Sequence, residues 1–177
     1  VLDRASFVSP NPATPLLSQS NGNYPFSFIP ELTGVLDRTF YPGVTGIVPV
    51  DEILEDDNST IGFLPLALTS PASWLVDSPE IEPAEDTEAA GPQLVATALV
   101  ATAPLGEQAS STESDAPLTA ARIVVFGDSD FASNRHFSSF NNSDFFLNSV
   151  NWLTGDVSLI SIRPKQFVFR ELVLTRN

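Results

Sequence analysis

The sequence predicts an α/β domain, and three stretches carry that reading. Ile123 to Phe126 form an unbroken apolar run, as expected for a strand covered on both faces, and Gly127 ends it in the polar turn Asp128-Ser129-Asp130. Residues 93–103 alternate Leu94, Ala96, Ala98, Val100 against Val95, Thr97, Leu99, Ala101, with both sets mostly apolar, which predicts a central strand. Residues 144–155 carry Phe146, Leu147, Val150 and Leu153 at helical spacing and close on Gly155, which predicts a helix with that stripe turned to the core.

The remaining elements follow in chain order. Val1-Leu2-Asp3 has the pattern of a strand end, and Pro10, Pro12 and Pro15 make the next residues loop. Residues 24–29 and 46–50 are short extended pieces between prolines, and 31–40 has room for a turn of helix. Residues 61–69 form a strand in which Pro65 requires an edge or a bulge. Ser70 to Trp74 make a turn with a large aromatic anchor, and 77–92 is an acidic, solvated loop. A polar linker at 106–117 has no helical period, so it joins its two strands as a hairpin rather than a crossover. Asn142 or Ser143 caps the late helix and Asp144 complements its dipole. Strands at 158–162 and 167–174 end the chain.

The chain has 177 residues, enough for one domain (1–177) with a sizeable core. It contains neither Cys nor Met, which excludes disulfides, thiolate metal sites and a cysteine nucleophile. The missing Met at position 1 is expected of a piece of a longer polypeptide. Net charge is −14 and unevenly placed: no Lys or Arg lies between Arg38 and Arg122, an interval that holds 14 of the 22 acids. Such a surface repels nucleic acid and anionic headgroups, so no nucleic-acid partner is expected. The longest apolar stretch, 94–105, is about half of what crosses a bilayer.

The turn after the apolar run is the place to look for chemistry, because ligands in open α/β sheets bind at the carboxyl ends of strands. Phe126-Gly-Asp-Ser129 resembles the nucleophile block of the GDSL or SGNH hydrolases, whose serine needs a histidine base. The single histidine, His136, lies seven residues on, and the family's distant base is missing, so an esterase using Ser129 is the alternative rather than the main reading. Asp128, Ser129, Asp130 and Asn134 could together hold a divalent cation as a Ca²⁺-dependent surface module would, but their spacing is not that of an EF-hand. The simpler reading has Asp130 capping a helical turn and Asp128 bonding local amides. Asn148 and Asn151 are expected on a polar or interface face, Arg163-Pro164-Lys165 is a small basic cluster, and Asn58-Ser-Thr60 and Asn141-Asn-Ser143 are sequon-like.

Three separated motifs carry a family resemblance. Val124-Val-Phe-Gly-Asp-Ser-Asp-Phe-Ala-Ser-Asn134, Asp144-Phe-Phe-Leu-Asn-Ser-Val-Asn-Trp-Leu153 and Leu159-Ile-Ser-Ile-Arg-Pro-Lys165 are similar to the GldG-like auxiliary proteins of ABC transport systems. That group is associated with gliding motility and related to the GIFT domain. Leu68-Thr-Ser-Pro-Ala-Ser-Trp74 resembles the family's threonine-serine-proline turn, and Val1-Leu-Asp3 with Asn11-Pro-Ala-Thr-Pro-Leu16 its earlier strand end and loop. The resemblance implies a three-layer, flavodoxin-like or class I glutamine-amidotransferase-like α/β fold with a mixed sheet and no catalytic cysteine. It implies a non-enzymatic domain on the extracytoplasmic face of the bacterial cell membrane, anchored by a transmembrane helix after Asn177. Expected partners are ABC permease or ATPase subunits or a small ligand. No cofactor, metal or catalytic residue carries over; the turn holding Asp128, Ser129, Asp130, Asn134 and Arg135 is the candidate binding surface. The family's first strands have no counterpart here, so the sheet is expected to be incomplete or to be completed in a homodimer.

Overall fold

The computed structural model describes residues 1–25, 29–50, 61–78, 90–103 and 119–155. The expected strands at 158–162 and 167–174, the basic cluster, the 106–117 linker, the sequon at Asn58 and most of the acidic loop lie outside them. The described chain is mixed α/β, with small antiparallel sheets and two α-helices.

The strands with the strongest apolar alternation build the main sheet. Strand β4 (Ile61–Leu68) pairs with β6 (Leu94–Ala103), and β6 with β7 (Thr119–Phe126), both antiparallel, so β6 is central. Val95, Ala96, Thr97 and Ala98 are all buried, as a central strand requires. The antiparallel β6–β7 pairing agrees with the hairpin reading. At Pro65 the β4 register slips, and β4 is an edge strand, which leaves the imino nitrogen without a ladder partner to miss. Two shorter sheets flank this one: β1 (Leu2–Asp3) pairs with β5 (Ser73–Trp74), and β2 (Leu16–Ser18) with β3 (Arg38–Phe40). All described pairings are antiparallel, whereas the resemblance implies a mixed sheet.

One face of the main sheet carries the core. Phe126 packs edge-on against Phe145 with ring centroids 5.0 Å apart and against Phe131 at 4.5 Å, while Val124, Leu64, Ala96 and Ala98 line the same side. The opposite face of β7 corrects the expectation of double coverage: Ile123 is 53% exposed, and Val125 is exposed as well. Residues 44–47 meet the carboxyl end of that strand. The Thr45 N–H donates to the Gly127 carbonyl at 2.9 Å and the Ile47 N–H to the Leu94 carbonyl at 2.8 Å. A Cβ on Gly127 would collide with the Thr45 carbonyl oxygen, so this glycine admits a backbone rather than a ligand.

Helix α1 (Pro30–Thr33) is a single turn that opens on proline, where the missing N–H costs nothing. Helix α2 (Asn142–Thr154) ends at Gly155 in the left-handed conformation, φ 76°, as the sequence predicts. Its orientation is not as predicted. It buries Asn142, Phe145, Asn148, Ser149 and Trp152 and exposes Phe146, Leu147, Val150 and Leu153. The two stripes differ by one residue, about 100° around the axis. Hydrogen bonds fix the choice. Asn148 donates to the Leu32 carbonyl at 3.4 Å, Ser149 to Phe145 at 2.8 Å, and the Arg122 guanidinium donates to the Trp152 carbonyl at 2.7 Å while lying over its ring. Among the described residues no helix is long and apolar enough to cross a membrane.

Candidate functional site

The turn between β7 and α2 is built locally. The Asp128 carboxylate accepts from the Asp130 N–H at 2.7 Å, which is the expected aspartate turn. Asp130 does not cap; it is the first residue of the 3-10 turn Asp130–Ala132, and its carbonyl accepts the Ser133 hydroxyl at 2.7 Å. Phe131 anchors the turn, fully buried and stacked on Tyr41 at 5.5 Å.

The five predicted site residues do not converge. Ser129 and Asp130 are exposed at the turn's surface. Asn134 and Arg135 are exposed too, and neither side chain bonds another described residue. The His136 ring lies edge-on to Phe40 with centroids 5.3 Å apart, and no hydrogen bond joins it to Ser129. Among the described residues, no three His, Asp or Glu side chains are grouped to hold a metal ion.

Two polar atoms under this turn stand out. One Asp128 carboxylate oxygen and the Tyr41 hydroxyl are both buried without a hydrogen-bond partner. Burial, and secondarily the Asp130 charge, pushes the Asp128 carboxyl up from 3.8 to about 6; burial also raises Tyr41, and the Asp128 charge adds to it. Native Asp128 therefore holds a proton that the unfolded chain has already released between about pH 4 and 6. Its contribution to stability is full below the unfolded value and is lost as pH rises through the folded one. Melting temperature measured against pH should show this as a fall between pH 4 and 7. Asp128→Asn, which keeps the acceptor for the Asp130 N–H, should flatten the fall and gain most over wild type above pH 6. Parallel curves for the two proteins would contradict the assignment.

The turn's downstream anchor was missed in sequence. Asn142 is fully buried: its Oδ1 accepts from the Phe40 N–H at 2.8 Å, and its amide donates to the carbonyls of Phe40 and Phe131 at 3.0 Å and of His136 at 3.2 Å. It bonds β3 much as another strand would. Asn141, not Asn142 or Ser143, stands at the helix N-cap; its Oδ1 accepts from the N–H groups of Asp37 and Arg38, and its amide reaches Asp144 at 2.7 Å.

A cleft of about 500 Å³ opens elsewhere, lined among others by Ser6, Asn21, Asn23, Thr69, Ser70 and Pro71. Its wall joins two distant segments. Asp3, fully buried, accepts from the N–H groups of Ala5 and Ser6 at 3.0 Å, from the Ser70 N–H at 2.8 Å and from the Ser70 hydroxyl at 2.6 Å. Behind Ser70, Thr69 and Ser73 share a hydroxyl contact of 2.7 Å, and Ser73 donates to the Ser70 carbonyl at 2.8 Å. Asn23 spans the floor, accepting from Ser18 and donating to Leu68. The sequence marked Asp3 and the Thr69-Ser70-Pro71 turn separately; only the fold brings them together.

Comparison with protein-family models, with curated proteins and with solved structures gives no match to this chain.

Proposed function

We propose that this chain is a non-catalytic, extracytoplasmic auxiliary domain of an ABC-type transport system in a bacterial cell membrane. On this reading it has the three-layer flavodoxin-like fold of the GldG-like proteins and binds a small ligand or a permease or ATPase subunit. The observation that carries the proposal is the junction of Asp3 with Ser70. Two of the segments on which the resemblance rests, 67 residues apart, are joined there by a fully bonded carboxylate that stands behind the wall of a cleft of small-molecule size. A buried carboxylate with four donors is held rigid. The candidate turn supports a structural role as well, since its bonded polar groups engage the domain's own backbone.

Affinity purification of the tagged protein from its native membranes, solubilised in mild detergent, tests the transport assignment. An ABC permease and its ATPase should copurify, and recovery of neither overturns it. Turnover of ester substrates that disappears in Ser129→Ala would overturn the non-catalytic part.

A further inference from the structure

The geometry points to a small organic cation, an ammonium or guanidinium compound, as the ligand of the cleft beside Ser70. The inference rests on the reading of this domain as a ligand-binding one and goes on to specify the ligand's chemistry.

The cleft has almost no hydrogen-bond donors to offer. The N–H groups of Ala5, Ser6 and Ser70 are all committed to the Asp3 carboxylate. Those of Gly22 and Asn23 go to the Gln19 and Ser18 carbonyls, and those of Leu68 and Thr69 to Asn23 and Gln93. Pro71 and Pro92, which complete this side of the lining, have none. The hydroxyl protons are committed too. Ser70 donates to Asp3 and Ser6 to the Leu16 carbonyl. Ser73 spends its proton on the Ser70 carbonyl, so in the Thr69–Ser73 contact Thr69 is the donor, while its oxygen receives the Gln93 N–H at 2.7 Å. What Ser6 can still present to a guest is oxygen lone pairs, and Ser70, whose oxygen also accepts the Ala72 N–H at 3.1 Å, has one lone pair left. Of the lining side chains, the exposed Asn21 amide and the second N–H of the buried Asn23 amide, whose first goes to the Leu68 carbonyl, can still donate.

Charge acts in the same direction. Among the described residues no Lys, Arg or His lines the cleft, the Asp3 carboxylate stands directly behind the Ser70 hydroxyl, and the chain carries a net charge of −14. An anionic or acceptor-rich guest would exchange hydration for lone pairs and a repulsive field. A guest that brings its own N–H donors and a positive charge meets a complementary surface, with Ser70 made a better acceptor by the hydrogen bond it donates to a carboxylate.

Amide-resolved NMR titration of the whole chain with ethylammonium and ethylguanidinium, against 1-propanol and propionate, is the test. The two cations should move the Ser6, Gly22 and Ser70 amides saturably, and more weakly at high salt. Asn21→Lys places a fixed cation at the rim and should weaken binding at least tenfold. Thr154→Lys, exposed at the opposite end of the sheet, should leave it unchanged within about twofold. Equal or tighter binding of propanol or propionate at the same amides overturns the cation assignment while the ligand-binding reading stands. If Thr154→Lys weakens the cations as much as Asn21→Lys, the attraction is that of the acidic surface as a whole and the inference fails. Silence of these amides towards all four probes overturns the cleft as a binding site for this class and leaves the transport reading to the copurification result.

Discussion

Replacing Asn142 is expected to cost about 3–5 kcal/mol of folding stability. Asn142 pairs one N–H and three carbonyls of the backbone, at Phe40, Phe131 and His136, with no solvent exposure. Asn142→Leu leaves the Phe40 N–H and the Phe40 and Phe131 carbonyls without these partners, while the His136 carbonyl keeps the Ser139 N–H, and a buried backbone group left unbonded costs roughly 1–3 kcal/mol. Asn142→Asp separates polarity from volume, because the two side chains have nearly the same shape. Aspartate can still accept from Phe40, but its second oxygen would face three carbonyl oxygens where an amide now donates. Urea denaturation at pH 7 should show both variants with midpoints well below wild type and unchanged slopes, and Asn142→Asp should recover part of its loss at pH 4, where the carboxyl can donate. An Asn142→Asp protein within about 1 kcal/mol of wild type at pH 7 would mean that solvent reaches the site.

The same residue marks the limit of what the sequence discloses. Strand β6, its antiparallel return to β7, the Pro65 irregularity and the Gly155 helix end are all local patterns: alternation, linker length, an imino acid, a left-handed cap. Each is present in the structure. The rotation of α2 is not local. Judged by hydrophobicity alone, Phe146-Leu147-Val150-Leu153 is a better core stripe than one containing Asn142, Asn148 and Ser149. The polar stripe is buried because Asn142 and Asn148 bond to Phe40 and Leu32, 102 and 116 residues earlier in the chain. Strands β2 and β3, three residues each, carry too little periodicity to be detected. The same distinction holds for function. The Asp128 turn is legible because its hydrogen bond spans two residues, whereas the cleft depends on a contact between Asp3 and Ser70 that no spacing announces.

Asp3→Ala is the second substitution with a large expected effect, a loss of about 3–5 kcal/mol. Four donors converge on this carboxylate, from Ala5, Ser6 and both the amide and hydroxyl of Ser70, and the residue is entirely buried. The side chain thus fixes two turns at once and, through them, the junction of β1 with β5, whose pairing is only two residues long. So short a ladder contributes little by itself. Asp3→Asn should lose less than the alanine variant, since its carbonyl oxygen can keep the three donors at Oδ1. Its amide would nevertheless point at the Ser70 N–H, donor against donor. That difference makes the pair informative about the cleft. If the carboxylate orients Ser70, Asp3→Asn should shift the Ser70 and Ala72 amide resonances strongly and weaken binding of the cationic probes severalfold, while the β6–β7 hairpin stays protected from hydrogen exchange. Equal stability of Asp3→Asn and wild type, with the Ser70 amide unmoved, would show that the Asp3 carboxylate neither holds the wall nor directs its hydroxyl.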